Sequence, residues 1–156
     1  MMDANNEKLL CNLKVSTVEK GIYSFLSKKF GALKKNVEMI IFSEDKNNHK
    51  IDFFVLLGSS IKHNTWDGLR VDILPLNYGI IKKNLSSNGT KDNNKTYLKD
   101  FEILTIGNKT MDSLINDLNP IVIKPIKSGS VFYDKGHFKR FNRRINDLEI
   151  KKQKIS

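Results

Sequence analysis

The chain has 156 residues, 39% of them hydrophobic, which supports one core of domain size and leaves little for a second. Its 27 Lys and Arg against 17 Asp and Glu give a formal net charge of +10, an excess that attracts RNA, DNA or an acidic protein surface over about one Debye length, ~8 Å. The longest apolar runs, 39–41 and 53–57, fall far short of the roughly 20 residues that cross a bilayer, and the single cysteine, Cys11, excludes an intramolecular disulfide or a cysteine-based zinc cluster.

The opening residues, MMDANNEKLLCNLK, carry acidic and amide groups where a secretory signal has a basic start and an apolar run, so a cytoplasmic location is expected. From Asn6 to Phe30, Leu9, Leu10, Leu13, Val18, Ile22, Phe25 and Leu26 recur at helical spacing. One or two amphipathic helices are expected there, with Cys11 buried in the first. VEMIIFS at 37–43 reads as a strand entering a polar turn; KIDFFVLL at 50–57 and LRVDILPL at 69–76, rich in β-branched and aromatic residues, read as two more. Residues 82–96, KKNLSSNGTKDNNKT, have no apolar period and are expected to form a mobile surface loop.

FEILTIG at 101–107 reads as a fourth strand and TMDSLINDL at 110–118 as a helix capped by Thr110 or Asp112. Pro120 and Pro125 are expected to limit regular helix beyond it. SVFYD at 130–134 is a further apolar segment, and Phe138, Phe141, Ile145 and Leu148 mark one face of a last helix over about 138–150. This mixture predicts one α/β or α+β domain over 1–156, with a mixed sheet of four to five strands flanked by helices. The short early turns favour a mixed sheet over a fully parallel one, whose neighbours need long crossovers.

Asp52 and Asp72 hold similar places in successive strands, and carboxylates converging at one sheet edge can hold Mg²⁺. The order of a leading helix, VEMIIFSEDKNNHKIDFFVLL, GLRVDILPL and the run from FEILTIG to SGSVFYDKGHF resembles the minimal nucleotidyltransferases of the polymerase-beta superfamily, over about residues 15–140. The resemblance implies a nucleotidyltransferase-like sheet, with Mg²⁺ as cofactor only in an active domain and a nucleoside triphosphate as a candidate ligand. It admits two assignments. In the first, Phe42-Ser43 stands at the family's Gly-Ser turn, Lys50-Ile51-Asp52 at its Asp-X-Asp metal motif and Asp72 at the third acid. In the second, Gly58-Ser59-Ser60 is the turn, Arg70-Val71-Asp72 the metal motif and Glu102 the third acid. Ser43, Ser59 and Lys50 are then the nucleotide-side residues, and Asp52, Asp72 and Glu102 the metal-side ones.

Both assignments place a cation where the family has its first carboxylate. A protonated Lys50 or Arg70 competes with the metal, so a catalytically impaired domain, a pseudoenzyme, is expected. Two alternatives stand beside it: an active Mg²⁺-dependent transferase that uses Asp52 and Asp72 on RNA, protein or a small molecule, and an antitoxin-like subunit of a two-protein complex. Glu44 or Asp45 would restore the first assignment by swinging into the vacant place.

From Lys135 to Ser156, eight Lys and Arg against two acids put +6 of the net charge in 22 residues. Lys139, Arg140, Arg143 and Arg144 share a helix face at i, i+3 and i+4, and forked guanidinium donors suit RNA phosphates. The same charges also suit a solvated face near a helix C-terminus. His63 and Trp66 offer either a stacking platform for a base or a cap on a core edge. The apolar faces of the first and last helices offer a surface for a protein partner or a second copy once the sheet is covered.

Overall fold

The computed structural model describes residues 9–10, 13–45, 47, 50–58, 68–74 and 101–155. The expectations for Cys11, Ser59, Ser60, His63, Trp66 and the 82–96 loop lie outside them. In chain order the elements are β1 (Leu9–Leu10), β2 (Leu13–Lys14), α1 (Val15–Phe30), β3 (Val37–Asp45), β4 (Lys50–Leu57), β5 (Leu69–Leu74) and β6 (Phe101–Gly107). They continue as α2 (Asn108–Asn116), α3 (Pro120–Ser128), β7 (Ser130–Asp134) and α4 (Phe138–Ile155). The fold is mixed α/β, with five strands ordered β5-β6-β4-β3-β7. The β4–β6 pair is parallel, whereas β3–β4, β3–β7 and β5–β6 are antiparallel.

Two apolar layers hold this sheet. On one face α1 packs Val18, Ile22, Phe25 and Leu26 against Ile40, Ile51, Phe53, Val55 and Ile103. On the other, α2, α3 and α4 pack Met111, Ile115, Val122, Ile126, Phe141 and Ile145 against Met39, Ile41, Phe54, Leu56 and Ile106. Central β4 is therefore covered on both faces, which is why FFVLL is a continuous apolar run rather than an alternating one.

Local chemistry fixes the ends. The α1 helix stops at Gly31, whose φ of 66° is left-handed; its N–H reaches Ser27 O at 2.9 Å while Ala32 N–H reaches Leu26 O at 3.3 Å. Asp134 caps α4, with Oδ1 accepting from Gly136 N–H at 3.0 Å and His137 N–H at 2.7 Å, and Oδ2 from Phe138 N–H at 3.2 Å.

Four sequence expectations change. Leu9, Leu10 and Leu13 belong to a short antiparallel ladder, so α1 starts only at Val15. The α2 helix starts at Asn108, earlier than either cap expected for it, and Gly107 at its N-cap makes no side-chain cap bond. The prolines do not prevent α3: Pro120 occupies the first turn, where its missing N–H costs nothing, and Asn119 Oδ1 accepts from Ile121 N–H at 3.0 Å. Helix α4 runs five residues past Ile150. No helix among the described residues is long and apolar enough to cross a membrane.

Candidate functional site

The β3–β4 register sets Ser43 opposite Asp52, and the parallel β4–β6 register sets Asp52 beside Glu102. Paired residues share a sheet face, so these three side chains converge on the face covered by α3. They line one end of a cleft of about 320 Å³ whose walls include Ile41, Phe54, Leu104, Val71, Ile121 and Pro125. An adjoining depression of about 900 Å³ shares Ser43, Asp52 and Glu102 and is lined also by Lys124, Ser128 and Ser130. Gly129 lets α3 close down on the sheet: a Cβ there would overlap Ile41 Cγ2 and lie 2.5 Å from Pro125 O.

Lys50 lies two residues before Asp52 and shares its face. Its Nζ is 3.8 Å from Asp52 Oδ1 and 3.8 Å from Glu102 Oε2. Both distances are ionic contacts, too long for hydrogen bonds, and Asp52 Oδ1 is buried with no hydrogen-bond partner. Burial raises the Asp52 pKa above its ordinary value; Lys50 offsets part of this, while Glu102 and Asp45 push it further up. The ammonium thus sits between two carboxylates, in the position a bridging cation would take.

Asp72 does not join this cluster. In the β5–β6 register it faces Ile103, which belongs to the α1 layer, whereas Glu102 faces Ile73. Asp72 therefore lies across the sheet from Asp52 and Glu102, where Arg70 Nε approaches its Oδ2 at 2.8 Å. The separation has a simple cause: Asp52 and Asp72 occupy opposite phases of their strands' alternation. It also parts Asp72 from Glu102, the acids joined in the second assignment, and Gly58 of that assignment sits at the far end of β4, bonded to Asn36 O at 2.8 Å. Asp45 lies opposite Lys50 and accepts from Asn47 N–H at 3.1 Å, and Glu44 lies opposite Ile51. Among the described residues no three His, Cys, Asp or Glu side chains are grouped to hold a metal. The donor set does not fit the two-metal Mg²⁺ site that the resemblance implies.

On α4, Lys139, Arg140 and Arg143 are exposed and Arg144 is half-buried. The Arg140 guanidinium lies 4.5 Å from the Phe141 ring centroid and contacts His137 Nδ1 at 2.8 Å; Arg144 is bonded to Asn116 Oδ1. His137 Nε2 meets Glu38 Oε1 at 2.9 Å, and Lys135 Nζ donates to Glu38 Oε2 at 3.1 Å. Arg140 carries only donors, so these contacts select the His137 tautomer with its proton on Nε2. Burial works to raise the Glu38 pKa, but the hydrogen bonds from His137 and Lys135 and the Lys135 charge outweigh it and hold the carboxyl below its ordinary value. Glu38 and His137 are 99 positions apart, and no local pattern announces their contact. The cleft wall from α3 was readable in principle from Asn119-Pro120, a helix-start pair.

No family model, curated protein or solved structure matches the chain.

Proposed function

We propose that this chain is a nucleotidyltransferase-like binding domain in which the Lys50 ammonium takes the place of the catalytic metal, and that it binds RNA through α4 in the cytoplasm. The observation that carries the first part is the position of Lys50 Nζ, 3.8 Å from both Asp52 and Glu102. Two-metal transfer needs carboxylates that share cations bridging the triphosphate. Here the carboxylates share an ammonium, and the expected third acid, Asp72, lies across the sheet. Neither Mg²⁺ nor a nucleoside triphosphate is needed for such a protein to bind a partner.

RNA binding is supported by the +6 carried by residues 135–156 and by the exposure of Lys139, Arg140 and Arg143 on one helix. Arg140 is braced by His137 and Phe141, and Arg144 by Asn116, which lowers the entropy cost when they meet phosphate. Such contacts give affinity without sequence selection.

Two assays test the proposal. Purified protein with each labelled triphosphate and Mg²⁺ is expected to transfer no label; robust labelling abolished by Asp52→Asn would overturn the pseudoenzyme assignment. Replacing Lys139, Arg140, Arg143 and Arg144 with Gln is expected to weaken binding to a generic RNA and to reduce the slope of log affinity against log salt by up to about 3 to 4, roughly one for each phosphate no longer neutralised. Unchanged affinity and slope would reject the RNA interface and turn α4 toward an acidic protein.

A further inference from the structure

Among the described residues, the two edges of the sheet are built differently. At one, β7 has a register shift against β3 between Ile40 and Ile41 and a single exposed large apolar residue, Val131. Such irregularity discourages strand addition. At the other, β5 pairs with β6 without a shift, and on the face covered by α2, α3 and α4 it presents Leu69, Val71 and Ile73, 37%, 52% and 52% exposed. Three exposed apolar side chains in alternation on a regular edge strand are the feature that edge protection normally removes.

The hydrogen-bond phase of this edge is fixed. Gly107 N–H donates to Gly68 O at 2.9 Å, and Gly68 continues the register in which Leu69 faces Ile106. Gly68, Arg70, Asp72 and Leu74 therefore exchange bonds with β6, while Leu69, Val71 and Ile73 turn N–H and C=O outward. An antiparallel partner strand must set its own outward-turned residues opposite these. For a second copy of β5 this leaves registers in which apolar residues face apolar residues. The centred one does more: with Val71 opposite itself, Leu69 faces Ile73, and on the other side of the sheet Arg70 faces Asp72, twice, about the twofold.

We propose that β5 is the seam of a twofold homodimer in which two copies join their sheets antiparallel through Leu69–Leu74, centred on Val71 opposite Val71 of the partner subunit. The chain is self-complementary in hydrogen bonding, apolar contact and charge in this register, and the Arg70–Asp72 contact of one copy, 2.8 Å, is converted to two contacts across the seam. The twofold is perpendicular to the sheet, so both α2–α3–α4 layers, with their clefts and basic α4 helices, lie on one side of the joined sheet. The seam rests on β5 alone and is independent of the RNA and pseudoenzyme proposals.

The test is the mass of the full chain by sedimentation or light scattering over a concentration series. A six-residue seam is at the small end of interfaces, so half-association is expected at roughly micromolar or higher concentration. The mass is expected to rise from 17.9 kDa toward twice that value. Val71→Lys is expected to weaken association about tenfold or more with an unchanged circular dichroism spectrum, since the side chain is exposed. Arg70→Glu is expected to weaken it, and Arg70→Glu with Asp72→Lys to restore it, because the pair then complements itself again across the twofold. A 17.9 kDa particle at every concentration would overturn the proposal. So would a dimer indifferent to Val71→Lys, or a double variant no tighter than Arg70→Glu alone.

Discussion

Replacing Lys50 with Met removes one charge and keeps most of the side-chain volume, so its effect reads the ion cluster rather than packing. At 3.8 Å a unit pair interacts by about 1 kcal/mol in water and about 4 at an effective dielectric near 20. The Lys50, Asp52 and Glu102 side chains are 42%, 49% and 49% exposed, so screening brings each pair toward ~0.2–1 kcal/mol. The variant is therefore expected to lose about 0.5–2 kcal/mol at neutral pH, a fall in Tm of roughly 2–8 °C for a chain of this size. The pH dependence gives the sign. Asp52 has its folded pKa raised, so its protonated form contributes stability that is present below the unfolded value and lost as pH rises through the folded one. Lys50 limits that loss, and without it Asp52 titrates higher still. The gap between variant and wild type is expected to open as pH rises through and just above the carboxylate range and to close in acid. Thermal melts from acid to neutral pH measure it. An equal loss at every pH would show that Lys50 acts by packing and would refute the ion-cluster account.

Glu38→Gln is expected to show its cost, on the order of 1 kcal/mol, at neutral pH only. The folded pKa of Glu38 is depressed, so its stabilisation is present above the unfolded value and lost as pH falls through the folded one; urea unfolding at acid and neutral pH checks this. Gly129→Ala is expected to cost about 1–3 kcal/mol or more in thermal melts, because the added Cβ meets Ile41 and the Pro125 carbonyl, and a variant as stable as wild type would contradict the close seating of α3. Asp134→Ala is expected to cost about 1–2 kcal/mol and to fray the start of α4 by hydrogen exchange, with Asn at the same place recovering most of it.

Most of the strands were legible because their apolar runs are bounded by polar turns: 50–57 and 101–107 coincide with β4 and β6, and 37–43 falls two residues short of β3. The amphipathic period of Phe138, Phe141, Ile145 and Leu148 likewise marked α4, although its polar last turns extend to Ile155. What the sequence did not disclose was phase and neighbourhood. Asp52 and Asp72 look alike in one dimension, yet Asp72 sits among outward Leu69, Val71 and Ile73, and central β4 is apolar on both faces, which hides its phase. Glu102 reaches Asp52 because β6, not β5, is the neighbour of β4, a strand order set by the long-range parallel pairing. The Leu9–Leu13 run read as helix because short leucine clusters satisfy either period, and the local ladder won.

The most direct test of the claim that Lys50 holds the cation position is Mg²⁺ titration of the wild type and Lys50→Asp by calorimetry, with circular dichroism to confirm folding. The variant places three carboxylates where the wild type has two and an ammonium. It is expected to bind Mg²⁺ with a dissociation constant of roughly 0.1–1 mM, while the wild type shows no heat of binding up to several mM, on the order expected for oxygen-ligand sites of low charge. Mg²⁺ binding by the wild type as tight as that of the variant would contradict the account.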